Sequence, residues 1–288
     1  MRLFHGMSDK HSEKRARRAS KRAKLHSKRM EYLLDKKTPF AITEAFRNLK
    51  AALSVSVPKR DGGVAIMATS AYPQDGKTTV TVNLALMFAI SNAKVVIVDG
   101  DIRKGRVAKY FKEKNTPGLS DYLSGQNSLD EVIRQTEADK NLSYIPCGTR
   151  SPKPYELLES EAMKSLLDEL RTRYDYVIID TPPVLLLSDA LALAPAIDGT
   201  VLVCRHQVSY ISDIARALNT LSFAKANVLG GVVNDFKLPP TKSRGNYDSY
   251  YYYSYAYGAT DAPAEDKNDY FKPKTAKGGH SLPFSYKP

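Results

Sequence analysis

The chain has 288 residues, of which 42% are hydrophobic, and carries a formal net charge of +12 at pH 7. This length predicts one domain of ordinary size with tails. No stretch approaches the ~18 unbroken apolar residues of a membrane helix, and no apolar signal-peptide core follows the basic N-terminus. We therefore expect a cytosolic chain whose two cysteines, Cys147 and Cys204, are small buried residues in a reducing compartment.

The positive charge is concentrated at the N-terminus. Residues 1–37 carry 13 of the 43 lysines and arginines but only 4 of the 31 acidic residues. The rest is nearly balanced, so its charge does not indicate a nucleic-acid-binding domain. Lys-Arg pairs recur at 14–15, 21–22 and 28–29, a spacing that places them near one face of a helix. Because no apolar stripe accompanies them, we predict a solvated basic extension over 1–37.

Short apolar runs alternate with helical segments along the rest of the chain. The first predicted helix has Thr43 as its N-cap and Phe46, Leu49 and Leu53 on one apolar face. The predicted strands are Val64–Met67, Val95–Val98, Leu142–Ile145, Tyr176–Ile179, Val201–Cys204 and Val228–Val233. The further predicted helices are Lys77–Ile90, Glu161–Arg173, Ser188–Ala194 and Ile211–Phe223.

This alternation predicts an α/β fold with a doubly wound, mostly parallel sheet of the P-loop NTPase type. Continuous valine and isoleucine runs are typical of strands that are buried on both faces. After Leu238-Pro239-Pro240 the composition shifts to Ser, Tyr, Gly, Asp, Lys and Pro. We therefore predict a domain at 38–240 and a flexible tail at 241–288.

The segment from Ala71 to Thr79 follows the first strand and opens a helix. Backbone amides at such a junction point at phosphate, and the helix dipole favours negative charge. Lys77 would reach the β- and γ-phosphates, and the Thr78 hydroxyl would bind Mg²⁺. Ala71 stands where the strict pattern has glycine, and an ordinary strand-to-helix turn is the alternative. The predicted nucleotide contacts are Tyr72, Pro73, Gln74, Asp75, Gly76, Lys77, Thr78 and Thr79.

Three carboxylates follow buried strands. Asp99 and Asp101 come at the end of one strand, and their spacing predicts side chains on one side. Asp180 ends another strand, at the edge of a parallel sheet where ligands bind. Asp99 and Asp101 could share a metal, or one could accept a hydroxyl proton; Asp180 would bind Mg²⁺ directly or through water. Alone, each would be an ordinary turn or cap residue.

A tyrosine cluster lies in the tail, with seven tyrosines in eleven residues. Neighbouring side chains of a strand point to opposite faces, so a packed core has no use for tyrosines in a row. An adhesive low-complexity tract is one interpretation, and a set of phosphate acceptors beside an ATP site is the other. The predicted acceptors are Tyr247, Tyr250, Tyr251, Tyr252, Tyr253, Tyr255 and Tyr257.

Together these residues resemble the bacterial tyrosine kinases of capsule and exopolysaccharide synthesis, which use a P-loop instead of the eukaryotic kinase fold. The resemblance runs from about Phe40 to the tyrosine cluster. The phrases that support it are Glu44-Ala-Phe-Arg47-Asn-Leu-Lys50, Gly118-Leu-Ser-Asp-Tyr-Leu-Ser-Gly125, Ser151-Pro-Lys-Pro-Tyr-Glu-Leu-Leu158, and Asp180-Thr-Pro-Pro183 with Ser188-Asp-Ala190.

The resemblance implies an ATP- and Mg²⁺-dependent protein-tyrosine kinase that autophosphorylates the cluster between subunits. Asp99 and Asp101 would form the second nucleotide motif and Asp180 the third. Glu44, Arg47 and Lys50 would be the subunit contact of a homo-oligomer, with a ring expected. The implied catalytic residues are Lys77, Asp99, Asp101 and Asp180; the implied metal ligands are Thr78, Asp99 and Asp180; further nucleotide contacts are Arg103 and Asn234.

The resemblance also implies partners. The chain resembles the split form of the family, in which a separate membrane-embedded protein supplies the activating segment. That activator is the chain-length regulator of polysaccharide export. A cognate tyrosine phosphatase is expected as well, and no specific nucleic acid. We expect the chain to be peripheral at the inner face of the plasma membrane, with the basic extension on anionic lipid; nucleic acid and plain solvation are the alternatives.

Several positions depart from the family pattern. Gln74 replaces a glycine, Gly105 a proline, Lys50 an arginine and Lys153 an asparagine. The rival interpretations are a partitioning or site-selecting ATPase and a non-catalytic scaffold. Such ATPases carry a second lysine where this chain has Tyr72, and they lack a tyrosine cluster.

Overall fold

The computed structural model describes residues 33–58 and 61–236. Its elements in chain order are α1 Phe40–Ser56, β1 Val64–Ser70, α2 Lys77–Ile90, β2 Val95–Asp99, α3 Val107–Tyr110, α4 Leu119–Leu123, α5 Leu129–Val132, β3 Arg134–Gln135, β4 Leu142–Ile145, α6 Pro154–Glu159, α7 Glu161–Arg173, β5 Tyr176–Asp180, α8 Asp189–Leu193, a 3₁₀ turn Ala194–Ala196, β6 Gly199–Arg205, α9 Ile211–Phe223 and β7 Val228–Asn234.

The strands form one sheet in the order β3-β4-β2-β5-β1-β6-β7. All neighbours pair in parallel except β3, which runs antiparallel to β4 at the edge. The predicted doubly wound, mostly parallel α/β fold is confirmed. Because the carboxyl ends of parallel strands meet at one edge, the residues that follow β1, β2 and β5 come together there.

Two apolar cores cover the two faces of the sheet. Successive residues of β1 alternate between them: Met67 belongs to the core that contains Leu170 of α7, and Ile66 to the core that contains Phe88 of α2. The Phe88 ring stacks on Tyr176 with centroids 4.0 Å apart. Since α1 packs on its outer side, α2 is buried nearly all round, which explains the unbroken apolar run from Leu84 to Ala89.

The first helix begins earlier than predicted. It starts at Phe40, and the Thr43 N–H already donates to the Pro39 carbonyl at 3.2 Å, so Thr43 lies inside the helix and is not its cap. Proline suits a helix start because the N–H that it lacks would have no intrahelical acceptor there. Cys147 is buried as predicted, whereas Cys204 is only half-buried.

The packed fold also begins before the predicted boundary at residue 38. Leu34 is buried, and its N–H donates to Oδ1 of the fully buried Asn83 at 2.7 Å. Asn83 in turn donates from Nδ2 to the Thr79 carbonyl at 2.9 Å. The segment 33–37 is thus attached to α2, while the Lys-Arg pairs and the tyrosine cluster lie outside the described residues.

Within residues 33–58 and 61–236, no helix combines the length and the apolar character that crossing a bilayer requires.

The Asn83 contact yields a stability prediction. Asn83→Ala leaves the buried Leu34 amide without its acceptor, so we expect a loss of about 1–3 kcal/mol in the free energy of unfolding. Urea unfolding measures it. The matched control is Ser91→Ala at the exposed C-cap of the same helix, which removes only the bond of the Ser91 hydroxyl to the Met87 carbonyl; its expected change is within about 0.5 kcal/mol. Equal losses in the two variants would contradict the assignment.

Candidate nucleotide and metal site

A loop of six residues, 71–76, connects β1 to α2. The first amides of α2 have no carbonyl within the helix to which they can donate. They lie at the positive end of the helix dipole, where an anion is stabilised. Gly76 has a φ of +91°, a conformation that glycine adopts without a steric penalty. The junction is therefore built as an anion cradle.

Gln74, at a position where the resemblance implies a glycine, has a φ of +73°. A residue with a side chain adopts this left-handed conformation at a cost of roughly 1–2 kcal/mol. Two side chains outside the loop donate to carbonyls of the loop. Arg205 donates to the Gln74 carbonyl at 3.3 Å, and Asn234 donates to the Asp75 carbonyl at 3.0 Å. The loop keeps its shape through contacts with the ends of β6 and β7.

Thr78 and Asp180 connect α2 to β5. The Thr78 hydroxyl donates to Asp180 Oδ2 at 2.6 Å, and the Thr81 hydroxyl lies 3.4 Å from Oδ1. Asp180 is only 1% exposed, so these hydroxyls are the partners that a buried carboxylate needs. Burial raises the pKa of Asp180, while Lys77 and the Thr78 hydroxyl oppose the rise.

Asp99 ends β2 directly beside Asp180 in the parallel register. It is fully buried; Oδ2 accepts the Val107 N–H at 2.9 Å, and Oδ1 has no hydrogen-bond partner among the described residues. Burial, followed by the neighbouring Asp180 charge, raises the pKa of Asp99 well above its ordinary value. A buried carboxylate oxygen without a partner fits a cation.

The oxygens of Thr78, Asp99 and Asp180 fit Mg²⁺, which is ordinarily held by one or two carboxylates together with substrate phosphates and water. In the part of the chain that the structure describes, no group of three or more His, Cys, Asp or Glu side chains forms a metal cluster by itself.

Asp101 lies just past the end of β2, in a turn rather than on the strand, so the alternation of a strand does not set the direction of its side chain. The turn arises because the Lys104 N–H donates to both the carbonyl and Oδ1 of Asp101. Asp101 Oδ2 is 3.7 Å from the Lys77 ammonium. Lys77 and Asp101, both predicted site residues, therefore lie next to each other at the mouth of the cradle.

Arg103 binds a carboxylate that the sequence analysis did not assign. Its Nε donates to Asp189 Oδ2 at 2.8 Å and its Nη2 to Oδ1 at 3.1 Å. Asp189 is fully buried at the start of α8, and this bidentate pair raises the pKa of the Arg103 guanidinium. Within this structure Arg103 joins the loop after β2 to α8. Asp189 could have been identified as a site residue from its place in Ser188-Asp-Ala190, one of the phrases that carry the family resemblance.

Among the other predicted nucleotide contacts, Thr79, Tyr72 and Asp75 make hydrogen bonds within the fold, and Pro73 is exposed. The Thr79 hydroxyl lies 2.7 Å from the Tyr110 hydroxyl, so it joins α2 to α3. Tyr72 donates its N–H to Asp75 Oδ2 at 3.3 Å, and Asp75 is almost fully buried. Burial raises the pKa of Asp75, and hydrogen bonds from Ser209 and Tyr72 oppose it. Pro73 is exposed at the rim of the loop.

The predicted subunit contact lies on α1. Glu44 and Arg47 form an ion pair on the helix surface, where 57% of the Arg47 side chain is exposed. Lys50, one turn further along, is half-buried. Arg205 and Ser209 were not predicted at all, because no spacing in the sequence connects them to a loop more than 130 residues earlier.

The AAA domain family matches residues 74–228. The tyrosine-protein kinase YwqD of Bacillus subtilis (strain 168) is 38% identical over 182 residues, which cover 63% of this chain and 76% of YwqD. The putative tyrosine-protein kinase EpsB of Ralstonia solanacearum is 34% identical over 243 residues, 83% of this chain and 32% of EpsB. The chain thus spans about a third of the length of EpsB. The solved kinase domain of the Escherichia coli tyrosine kinase ETK superposes with a TM-score of 0.66 at 30% identity, covering 75% of this chain and 88% of that domain.

Gly76 provides a test of the cradle. A Cβ at this position would lie 1.8 Å from Asn234 Nδ2, so the Asn234 side chain would have to leave the Asp75 carbonyl, and we expect Gly76→Ala to weaken nucleotide binding and to lower stability by more than the backbone conformation alone costs. Gly125→Ala is the control, because Gly125 has a similar φ of +72° but open space around its Cβ position. Its expected loss is about 1 kcal/mol, from the backbone conformation alone. Urea unfolding and nucleotide titration of both variants measure the difference, and similar effects would refute the clash.

Because the pKa of Asp99 is raised, we predict that Asp99→Asn increases the free energy of unfolding at high pH. Between the unfolded value of 3.8 and the raised folded value, the folded protein binds the extra proton, so its stability falls as the pH rises through that window. Asp99→Asn removes the buried charge, and we expect its unfolding free energy to exceed that of the unmodified protein at pH 8 but not at pH 4. Urea unfolding without nucleotide or metal measures both. A variant that is less stable at pH 8 would contradict this prediction.

Proposed function

We propose, since the chain belongs to the bacterial tyrosine kinase family, that it is an ATP-dependent protein-tyrosine kinase that phosphorylates the tyrosine cluster of its own tail. One observation carries the proposal: buried carboxylates at the ends of neighbouring strands, Asp99 and Asp180, meet Lys77 and Thr78 at the start of α2. Phosphoryl transfer depends on such positioned charges more than on covalent chemistry by the protein.

ATP would supply the phosphoryl group, and Mg²⁺ would neutralise charge on its phosphates. The amides of the loop and of the first turn of α2 bind and orient the phosphates, and the Lys77 ammonium adds a positive charge at the mouth. Thr78, Asp99 and Asp180 would hold the metal. Since Lys77 is 3.7 Å from Asp101, a separation longer than a tight ion pair, its ammonium can turn towards a phosphate.

Asp101 is the stronger candidate to accept the proton of the tyrosine hydroxyl. Asp99 is fully buried, with Oδ2 bonded to the Val107 amide and the other oxygen proposed to hold the metal, so neither oxygen is left for an incoming hydroxyl. About 10% of the Asp101 side chain is exposed, and its Oδ2 faces the Lys77 ammonium. A general base must come within hydrogen-bond reach of the proton that it takes, which favours Asp101.

The family resemblance supports the wider assignment. It supports phosphorylation of the tail between subunits of a ring joined through Glu44, Arg47 and Lys50, control of capsule or exopolysaccharide synthesis, activation by a membrane-embedded chain-length regulator, and reversal by a cognate phosphatase. The exposed Glu44–Arg47 pair is available for a neighbouring subunit. Lys50, in place of the family's arginine, would make a single contact where arginine makes two.

The kinase assignment predicts the behaviour of Lys77→Met. Without the ammonium, the phosphate charge loses its partner, and we expect incorporation of ³²P into the tyrosine cluster to fall by at least ~100-fold. Lys164→Met is the control, since Lys164 is exposed and pairs only with Glu161 on α7. Phosphotyrosine at the unmodified level in Lys77→Met would reject the kinase function. Hydrolysis of ATP by the unmodified chain without any phosphotyrosine would favour the partitioning-ATPase alternative.

The basic extension predicts binding to anionic membranes. Each basic residue near such a surface contributes on the order of 1 kcal/mol, so we expect the full chain to sediment with phosphatidylserine vesicles and to lose that binding as salt increases. A chain beginning at Leu33, which keeps the buried Leu34, is the matched control. If both proteins sediment equally, or if the full chain prefers DNA to vesicles, the extension has another role.

A further inference from the structure

We propose that Arg205 and Ser209 are positioning residues of the phosphate loop: with Asn234 they form a clamp that turns the amides of residues 75 and 76 towards the bound phosphate. This clamp deepens the proposed function, because it rests on nucleotide binding at the loop.

Arg205 is placed at the end of β6 with its guanidinium held in a fixed orientation. Its Nε and Nη2 donate to Asp235 Oδ2 at 3.2 and 2.7 Å. The remaining nitrogen, Nη1, donates to the Gln74 carbonyl at 3.3 Å. Only 11% of the Arg205 side chain is exposed; its bonds to Asp235 are partly buried, and its bond to Gln74 lies at the surface. The ion pair with Asp235 therefore aims the third donor at the loop.

Ser209 and Asn234 hold the next residue of the loop. The Ser209 hydroxyl donates to Asp75 Oδ1 at 3.0 Å, and its oxygen accepts the Arg205 N–H at 2.7 Å. Asn234 Nδ2 donates to the Asp75 carbonyl at 3.0 Å. Two successive carbonyls of the loop, those of Gln74 and Asp75, thus face donors from the ends of β6 and β7.

This arrangement decides where the amides point. In a planar trans peptide the N–H is directed opposite to the C=O. A Gln74 carbonyl fixed on Arg205 directs the Asp75 N–H the other way, and an Asp75 carbonyl fixed on Asn234 does the same for the Gly76 N–H. Amides aligned in this way form an anion-binding concavity. The clamp therefore acts on phosphate through the loop, without touching it.

The clamp also accounts for Gln74. At φ +73° this residue occupies a conformation that glycine adopts freely and other residues adopt under strain. The Arg205 contact with its carbonyl holds the strained peptide in place. A glycine at position 74 would need that contact less, and this predicts a rescue that a purely structural Arg205–Asp235 ion pair would not show.

The experiment is a double-mutant cycle on the full chain, with Mg²⁺ and a fluorescent ADP analogue as the probe. We expect Arg205→Lys, which keeps a charge for Asp235 but has fewer donors, to weaken binding about tenfold or more. Measured against Gln74→Gly alone, adding Arg205→Lys should weaken binding far less than it does in the unmodified loop. The control is Arg216→Lys on α9, whose partner Asp213 is one turn away on the same helix; its affinity should not change.

Ser209→Ala keeps the test decisive if Arg205→Lys does not fold. This variant changes no charge, and we expect it to weaken binding about threefold or more through Asp75. Unchanged affinity in Arg205→Lys and Ser209→Ala would overturn the clamp, as would a loss that Gln74→Gly does not reduce. A chain that binds no nucleotide even when unmodified would overturn the proposed function and the clamp together, whereas binding with unaltered variants would overturn the clamp alone.

Discussion

The hydrogen bond from the Thr78 hydroxyl to the buried Asp180 carboxylate holds the first turn of α2 against the end of β5. A buried carboxylate without such partners would be strongly destabilising, so this hydrogen bond favours the observed approach of the two elements. That approach leaves six residues to connect β1 to α2, a connection that uses the left-handed backbone at Gln74 and Gly76. The shape of the phosphate loop thus follows from a contact that lies beneath it.

The edge of the sheet carries more buried negative charge than positive. Asp99 and Asp180 lie side by side, and Asp101 is close by, while Lys77 is the cation near them. Like charges in a region of low dielectric repel each other and favour protonation. A protein accepts such a cost where function requires it. The excess of negative charge lies at this edge, and the Mg²⁺ that the site is proposed to bind would reduce it.

Local sequence patterns predicted the sheet well, because strands that are buried on both faces have continuous runs of valine and isoleucine. The same patterns predicted Lys77, Thr78 and Asp180, since a loop motif and strand ends can be read along the chain. They did not predict Arg205 or Ser209, whose relation to the loop is created by strand order alone. The two-residue strand β3 and the short helices α3 to α6 were missed because four to six residues are too few for a period to appear.

Strand β7 ends at the same edge as the phosphate loop, where Asn234 contacts Asp75. Tyr247 lies eleven positions after Phe236, where the described residues end, and a chain of that length spans at most about 36–40 Å. Under the proposed function, a covalently attached acceptor has a high effective concentration for its own subunit, whereas the acceptor of a neighbouring subunit arrives at the concentration of the protein. A neighbouring subunit must compete with that tether. If the rate of autophosphorylation per subunit rises with protein concentration, the tail is phosphorylated by a neighbouring subunit. If that rate does not change with concentration, the tail is phosphorylated by its own subunit.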